Sequence, residues 1–213
     1  MPQASDHLRF GIEVEFLLTP REAHAFKDVS EFTNFVLSFY KSKKVESWPN
    51  IHVDLDGSYE DKNDKIEWSL TNDAPINHDK EYPIELVSPI LHFQQGDHFR
   101  DYVKGVWDRI ATPCIIGTNN SCGTHVHVST SNDYTSVQVK AVARAILYFE
   151  SAINALVPSH HLGNEYCKSF FASNQEFKGK TIGQAVAIVD KVDESHPGMV
   201  ADLMNPGVDR NYT

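Results

Sequence analysis

The sequence predicts an α+β fold built on a largely antiparallel sheet. Two observations carry this prediction. Segments such as RFGIEVEFLLT (9–19) and GTHVHVST (123–130) alternate apolar and polar residues with period two, the pattern of half-buried strands. Segments with apolar residues at helical spacing are interspersed among them, without the strict strand–helix alternation of a doubly wound fold.

In chain order, residues 9–19 form a strand with Ile12, Val14 and Phe16 on one face and Gly11, Glu13 and Glu15 on the other. Residues 28–42 place Phe32, Phe35, Val36, Phe39 and Tyr40 at helical spacing, with Asp28 or Ser30 as the cap. NIHVDLDGSYED is a short strand running into an Asp-Gly turn, and DKIEWSLTND is a further strand. YPIELVSPIL (82–91) is a strand bounded by prolines, which suits an edge strand or a strand end. Residues 97–111 read as a helix stopped before Pro113. The clearest helix is 136–157, ended by Pro158, and a last one covers 181–193. No repeat, linker or low-complexity segment interrupts the chain, so one domain is expected over residues 1–213.

The 213 residues are 41% hydrophobic, enough for a real core, and carry a formal charge of -10. That charge argues against nucleic acid as a partner. No apolar run is long enough to cross a bilayer, and MPQASDHLRF lacks the apolar centre of a signal peptide. The cysteines, Cys114, Cys122 and Cys167, are too few for a disulfide framework and read as reduced thiols of a cytoplasmic protein.

Four signals carry possible chemistry. Glu13 and Glu15 share a strand face, where two carboxylates either stay wet or hold a divalent cation between them. Glu85 sits among apolar neighbours in PIELVSP and needs a cationic partner or a metal. His125 and His127 share a face by the same period, with Val126 and Val128 turned away; such a pair either satisfies itself within a sheet or supplies imidazole to a metal or phosphate. Asp56, Gly57 and Ser58 are first a turn, and secondarily a loop that could touch substrate.

Taken in order, FGIEVEF, DLDGS, IELVSPIL and CGTHVHVS resemble the amidoligase family found widely in fungi, which is similar to glutamate-cysteine ligase and glutamine synthetase. Each motif is short, but their joint order and spacing over about residues 9–170 are fairly specific. The resemblance implies a curved, mostly antiparallel sheet forming an open cup of the glutamine-synthetase type, with helices packed outside. It implies ATP and Mg²⁺ on the inner face, where a small-molecule carboxylate is activated as an acyl phosphate and joined to an amine. It assigns Glu13, Glu15, Glu85 and His125 to metal, and Glu13, Glu15, Glu85 and His127 to catalysis. His125, His127 and Arg210 fall toward the nucleotide, and Asp56, Ser58, His160 and His161 toward substrate. A ring of glutamates holding Mg²⁺ would turn an acidic pocket cationic, which the mutually repelling anionic substrates require.

The chain departs from the family pattern at two points. Late strands that close the cup in relatives, one with a Glu-x-Arg signature, find no counterpart before MNPGVDRNYT. The expectation is an open sheet edge, through which the chain either pairs with a second copy or stays only weakly stable. The loop PSHHLGNEYC places His160 and His161 where relatives often place Arg, which leaves anion binding there in doubt. Two other classes compete with a ligase. One is a catalytically impaired nucleotide- and metal-binding relative, and the other is a hydrolase with His-x-His on a metal. A Cys122–His125 nucleophile pair is disfavoured by the closeness of the two residues in sequence.

Overall fold

The computed structural model describes residues 8–23, 25–42, 49–55, 67–72, 81–92, 98–130, 134–162 and 168–192. Asp56, Ser58, Cys167 and Arg210 lie outside them. Within the span read as one domain, the chain forms two compact units, residues 1–131 and 132–213.

Among its described residues, the first unit is a sheet with two helices. In chain order it contains β1 (Leu8–Pro20), α1 (Val29–Ser42), β2 (Asn50–Val53), β3 (Glu67–Thr71), β4 (Tyr82–Val87), β5 (Leu91–His92), α2 (His98–Ile110), β6 (Cys114–Gly117) and β7 (Thr124–Thr130). β1 is the hub. Along one edge it pairs with β4 and β5, and along the other with β6 and β7, all antiparallel. β3 extends the sheet from β4 antiparallel, and β2 runs parallel to β3 beyond it.

The expectation of a mostly antiparallel sheet holds, and the curved cup implied by the resemblance is corrected. One pair departs from the antiparallel pattern: β2 runs parallel to β3, which makes the sheet mixed. Among the described residues it is also open and uncurled.

One face of the sheet carries the core. Phe16 and Leu18 of β1, Trp68 and Leu70 of β3, and Ile84 and Leu86 of β4 are buried against Phe32, Val36 and Tyr40 of α1 and Val106 and Ile110 of α2. Helical spacing in α1 and α2 and period two in the strands bring these apolar sets together, as their patterns require. Phe32 stacks on Tyr82 at 4.0 Å between ring centroids, and Phe16 meets Trp107 edge-on at 5.3 Å. Asp28 Oδ1 accepts from the Glu31 N–H at 2.9 Å, so of the two candidate caps it is Asp28 that opens α1.

β4 is an interior strand, not an edge. Its proline is tolerated because Pro83 pairs only with Leu17 of β1, while β3 covers β4 from Glu85 to Val87. Pro83 thus sits at the strand end, where its missing N–H leaves no gap in the β3 ladder.

The second unit is helical: α3 (Ser136–Asn154), α4 (Phe170–Ser173), a 3-10 turn (Gln175–Phe177) and α5 (Ile182–Lys191). Thr135 with Gln138 and Thr181 with Gln184 form capping boxes that fix the starts of α3 and α5. Ala143, Leu147, Phe170, Phe177, Ala185 and Val189 bury a small core. The Glu150 carboxylate accepts from the N–H groups of Phe170 and Phe171 at 2.5 and 3.1 Å, tying α4 to α3. Among the described residues no helix is long and apolar enough to cross a membrane.

Candidate functional site: the polar face of the sheet

The face opposite the core is polar, and strand register decides what meets there. Residues paired across strands point to the same side. Glu13 lies opposite Val87 on β4 and His125 on β7. Glu15 lies opposite Glu85, which lies opposite Thr71. His127 is two residues along β7 from His125 and opposite Gly11. The register therefore brings Glu13, Glu15, Glu85, His125 and His127 to one face. Further along it, His52 pairs with Ser69 and Ser69 with Val87. With strands about 4.8 Å apart, the row from His52 to His125 spans roughly 19 Å.

Glu13 Oε2 is the node of the cluster. His127 Nε2 lies 3.0 Å from it and His125 Nδ1 3.7 Å. One ligand atom from each of Glu13, His125 and His127 falls within 4.8 Å of the others. The other ring nitrogen of His125, Nε2, lies 3.4 Å from Glu15 Oε1. Glu15 is the most buried member, its side chain 10% exposed, against 28% for Glu13, 51% for His125 and 64% for His127.

Gly123 holds Glu15 in place. Its N–H donates to Glu15 Oε2 at 2.7 Å, and its carbonyl accepts from the Glu15 N–H at 3.0 Å. A Cβ at this position would stand 3.1 Å from His125 Nε2 and 3.3 Å from Glu15 Oε2, so the turn before β7 passes where little beyond glycine fits freely. Glu85 Oε2 accepts from the Thr71 hydroxyl at 3.0 Å. That neutral donor supports a carboxylate the sequence places among apolar neighbours.

At the far side of the same face, His52 Nε2 is 2.8 Å from Ser69 Oγ and His52 Nδ1 is 3.4 Å from Glu67 Oε2. Sequence reasoning did not single out His52, Glu67, Ser69, Thr71 or Gly123. The alternation within NIHV and EWSLT puts His52, Glu67, Ser69 and Thr71 opposite Ile51, Trp68 and Leu70, a signal for the polar face if not for its contacts.

Other sequence candidates fall elsewhere. His160 and His161 stand in the second unit on the exposed turn after α3, their rings 4.4 Å apart. Cys122 is buried against Leu17, with its thiol 3.7 Å from Asn119 Oδ1, so it belongs to packing and not to a nucleophile pair. Cys114 and Cys122 are free thiols, and burial pushes the Cys114 thiol up to about 11, with Arg21 partly opposing it.

Donor chemistry divides the face. Glu15 and Glu85 offer oxygen alone, the donor that Mg²⁺ takes through one or two carboxylates beside substrate phosphates. Glu13, His125 and His127 offer one oxygen and two imidazole nitrogens.

The family described as "Putative amidoligase enzyme" matches residues 6–187. The chain belongs to this family. The match runs through both units and includes every strand and helix of the amidoligase-family sheet described above, ending within α5. Family membership points to ligase-type chemistry. No curated protein and no solved structure matches the chain.

Proposed function

We propose that this amidoligase-family protein is an ATP-dependent ligase that joins a small carboxylate to an amine on the polar face of its sheet. The observation that carries the reading is the convergence of three carboxylates and two imidazoles on one registered face of a chain from this family. A face roughly 19 Å across has room for nucleotide phosphates and a second substrate side by side.

In the proposed reaction a carboxylate oxygen attacks the γ-phosphorus of ATP, the bond to ADP breaks, and an acyl phosphate forms. The amine lone pair then attacks the acyl carbon. The carbon–oxygen bond to phosphate breaks, and the amine proton leaves with the phosphate. The products are amide, ADP and phosphate. Mg²⁺ supplies the positive charge that lets these anions approach. Glu15 and Glu85 are the residues that would hold it. The Gly123 N–H fixes Glu15 and the Thr71 hydroxyl fixes Glu85, so neither carboxylate must be reoriented when substrate arrives.

The test is ADP release from Mg²⁺-ATP, screened against pooled amino acids and small amines, with the amide product identified by mass spectrometry. Amide, ADP and phosphate should form in equal amounts, and Glu85→Gln should reduce their formation while leaving the fold intact. Absence of ADP above background with every pool would overturn the ligase reading. Metal-dependent ester or amide cleavage without ADP would favour a hydrolase instead.

A further inference from the structure

The geometry points to Ser69, His52 and Glu67 as a proton relay that turns the amine substrate from its ammonium form into the nucleophile. The inference deepens the proposed ligase reading and rests on it. That reaction needs an amine lone pair, and a primary amine arrives at neutral pH as a cation without one.

The three side chains share the polar face of two neighbouring strands. Parallel pairing sets His52 of β2 beside Ser69 of β3 and Asn50 beside Glu67, so the imidazole lies between a hydroxyl and a carboxylate of the same strand. His52 Nε2 is 2.8 Å from Ser69 Oγ, and His52 Nδ1 is 3.4 Å from Glu67 Oε2. A hydroxyl at one ring nitrogen and a carboxylate at the other let a histidine take a proton and hold the resulting charge. Glu67 favours the ring proton at Nδ1, which turns the Nε2 lone pair toward the Ser69 hydroxyl. Nδ1 is buried, and the His52 and Glu67 side chains are only 14% and 15% exposed. Little water therefore screens the carboxylate from an imidazolium as it forms. The 3.4 Å separation is long for a hydrogen bond and is expected to tighten once the ring is charged. Core packing does not call for the set, because Ile51, Trp68 and Leu70 pack β2 and β3 on the opposite face.

The relay stands within reach of the carboxylates. Ser69 is opposite Val87 and Thr71 is opposite Glu85, so Ser69 and Glu85 are diagonal neighbours across β3 and β4, about 7–8 Å apart. An amine bonded to Ser69 Oγ at about 3 Å and closing on an acyl carbon at about 3–3.5 Å fits within that gap. The ammonium N–H donates to Ser69 Oγ. As its proton passes to Oγ, the hydroxyl proton passes to His52 Nε2, and the N–H bonding pair becomes the amine lone pair. The lone pair attacks the acyl carbon. The imidazolium, stabilised by Glu67, releases its proton to solvent after the amide has formed, which restores the neutral ring.

The test uses the whole chain with Mg²⁺-ATP and pooled amino acids as carboxylates. The nucleophile is either the pooled small amines, which are cations at neutral pH, or hydroxylamine, which is uncharged there. His52→Gln and Ser69→Ala should lower amide formation about 10²–10⁴-fold while hydroxamate formation stays within about 3-fold of wild type. Ser69→Thr keeps the hydroxyl and should keep most of the amide formation. Equal losses with both nucleophiles, or no loss with either, would overturn the relay and leave the ligase reading in place. The ring tautomer is read separately in the wild-type chain from the ¹⁵N resonances that His52→Gln removes. A proton on Nδ1 alone is expected at neutral pH, and a proton on Nε2 would overturn the relay whatever the ligase assay gives. Absence of ADP from wild type with every pool would overturn the ligase reading and the relay with it.

Discussion

Replacing Gly123 with alanine separates the packing of the site from its chemistry. The new methyl carbon would stand 3.1 Å from His125 Nε2, 3.3 Å from Glu15 Oε2 and 3.4 Å from His125 Cδ2, where ordinary contact begins at 3.4 Å. The imidazole must withdraw by a few tenths of an ångström. Being half exposed, it can turn outward, at a rotamer cost of about 0.5–1.5 kcal/mol. Gly123 does not occupy the left-handed region, so its backbone accepts alanine. The unfolded chain also loses freedom, which stabilises the folded state by about 0.4–1 kcal/mol. The two effects nearly cancel, and folding stability is expected within about 1 kcal/mol of wild type. Metal ligation tolerates displacements of only about 0.2 Å, and disturbing an orienting partner weakens metal binding about 10–100-fold. Calorimetric titration with Mg²⁺ in the presence of ATP, paired with thermal unfolding under chelator, reads both quantities. Wild-type metal affinity in Gly123→Ala would refute the reasoning, as would a loss of stability above about 3 kcal/mol, which would mean that the turn cannot yield at all.

Two further outcomes follow from the rest of the molecule. Glu150→Ala strips the acceptor from the Phe170 and Phe171 amides and should destabilise the chain by about 1–3 kcal/mol in urea unfolding, whereas Glu150→Gln keeps one acceptor and should lose less; equal, negligible losses would contradict the tie. Burial pushes Tyr40 up from 10.0 to about 12, against the opposing effect of Arg109, and Cys114 up from 9.0 to about 11. The unfolded state therefore releases these protons first. Stability is fully present below about pH 9 and should fall as pH rises from there to 12, by on the order of 2–3 kcal/mol per group. Urea midpoints that stay flat from pH 9 to 11 would argue against this.

The polar face was legible because period two in β1 and β7 is strict: Glu13, Glu15, His125 and His127 share a phase with no apolar residue between them on that side. Which of them touch was not legible. The resemblance assigned Glu13, Glu15, Glu85 and His125 alike to metal without their contacts; the register sets His125 opposite Glu13, both histidines lie near Glu13, and Glu15 meets His125 Nε2 and the Gly123 amide. The His52–Ser69 contact depends on β2 lying parallel to β3, which no local pattern encodes. Pro83 left two readings open, an edge strand or a strand end, because proline marks only a place where one neighbour is missing; the register selects the strand end. Cys114–Gly117 and Leu91–His92 are too short to show a period at all.

The central position of β1 has a consequence during synthesis. It is made before every other described strand, yet its partners end at Thr130, so at roughly 5–20 residues per second it waits about 5–20 s for the last of them. Until β4 follows, both of its edges are unmatched and its apolar side, with Phe16 and Leu18, is incompletely covered; the edge that takes β6 and β7 stays unmatched to the end of the interval. A strand in that state is the part of a nascent chain most prone to pair with a neighbouring copy. Glu13 and Glu15, alternating with those apolar residues, put two negative charges on it, and stacking two such strands would set like charges side by side. The carboxylates of the site thus also guard the strand that carries them before any site exists.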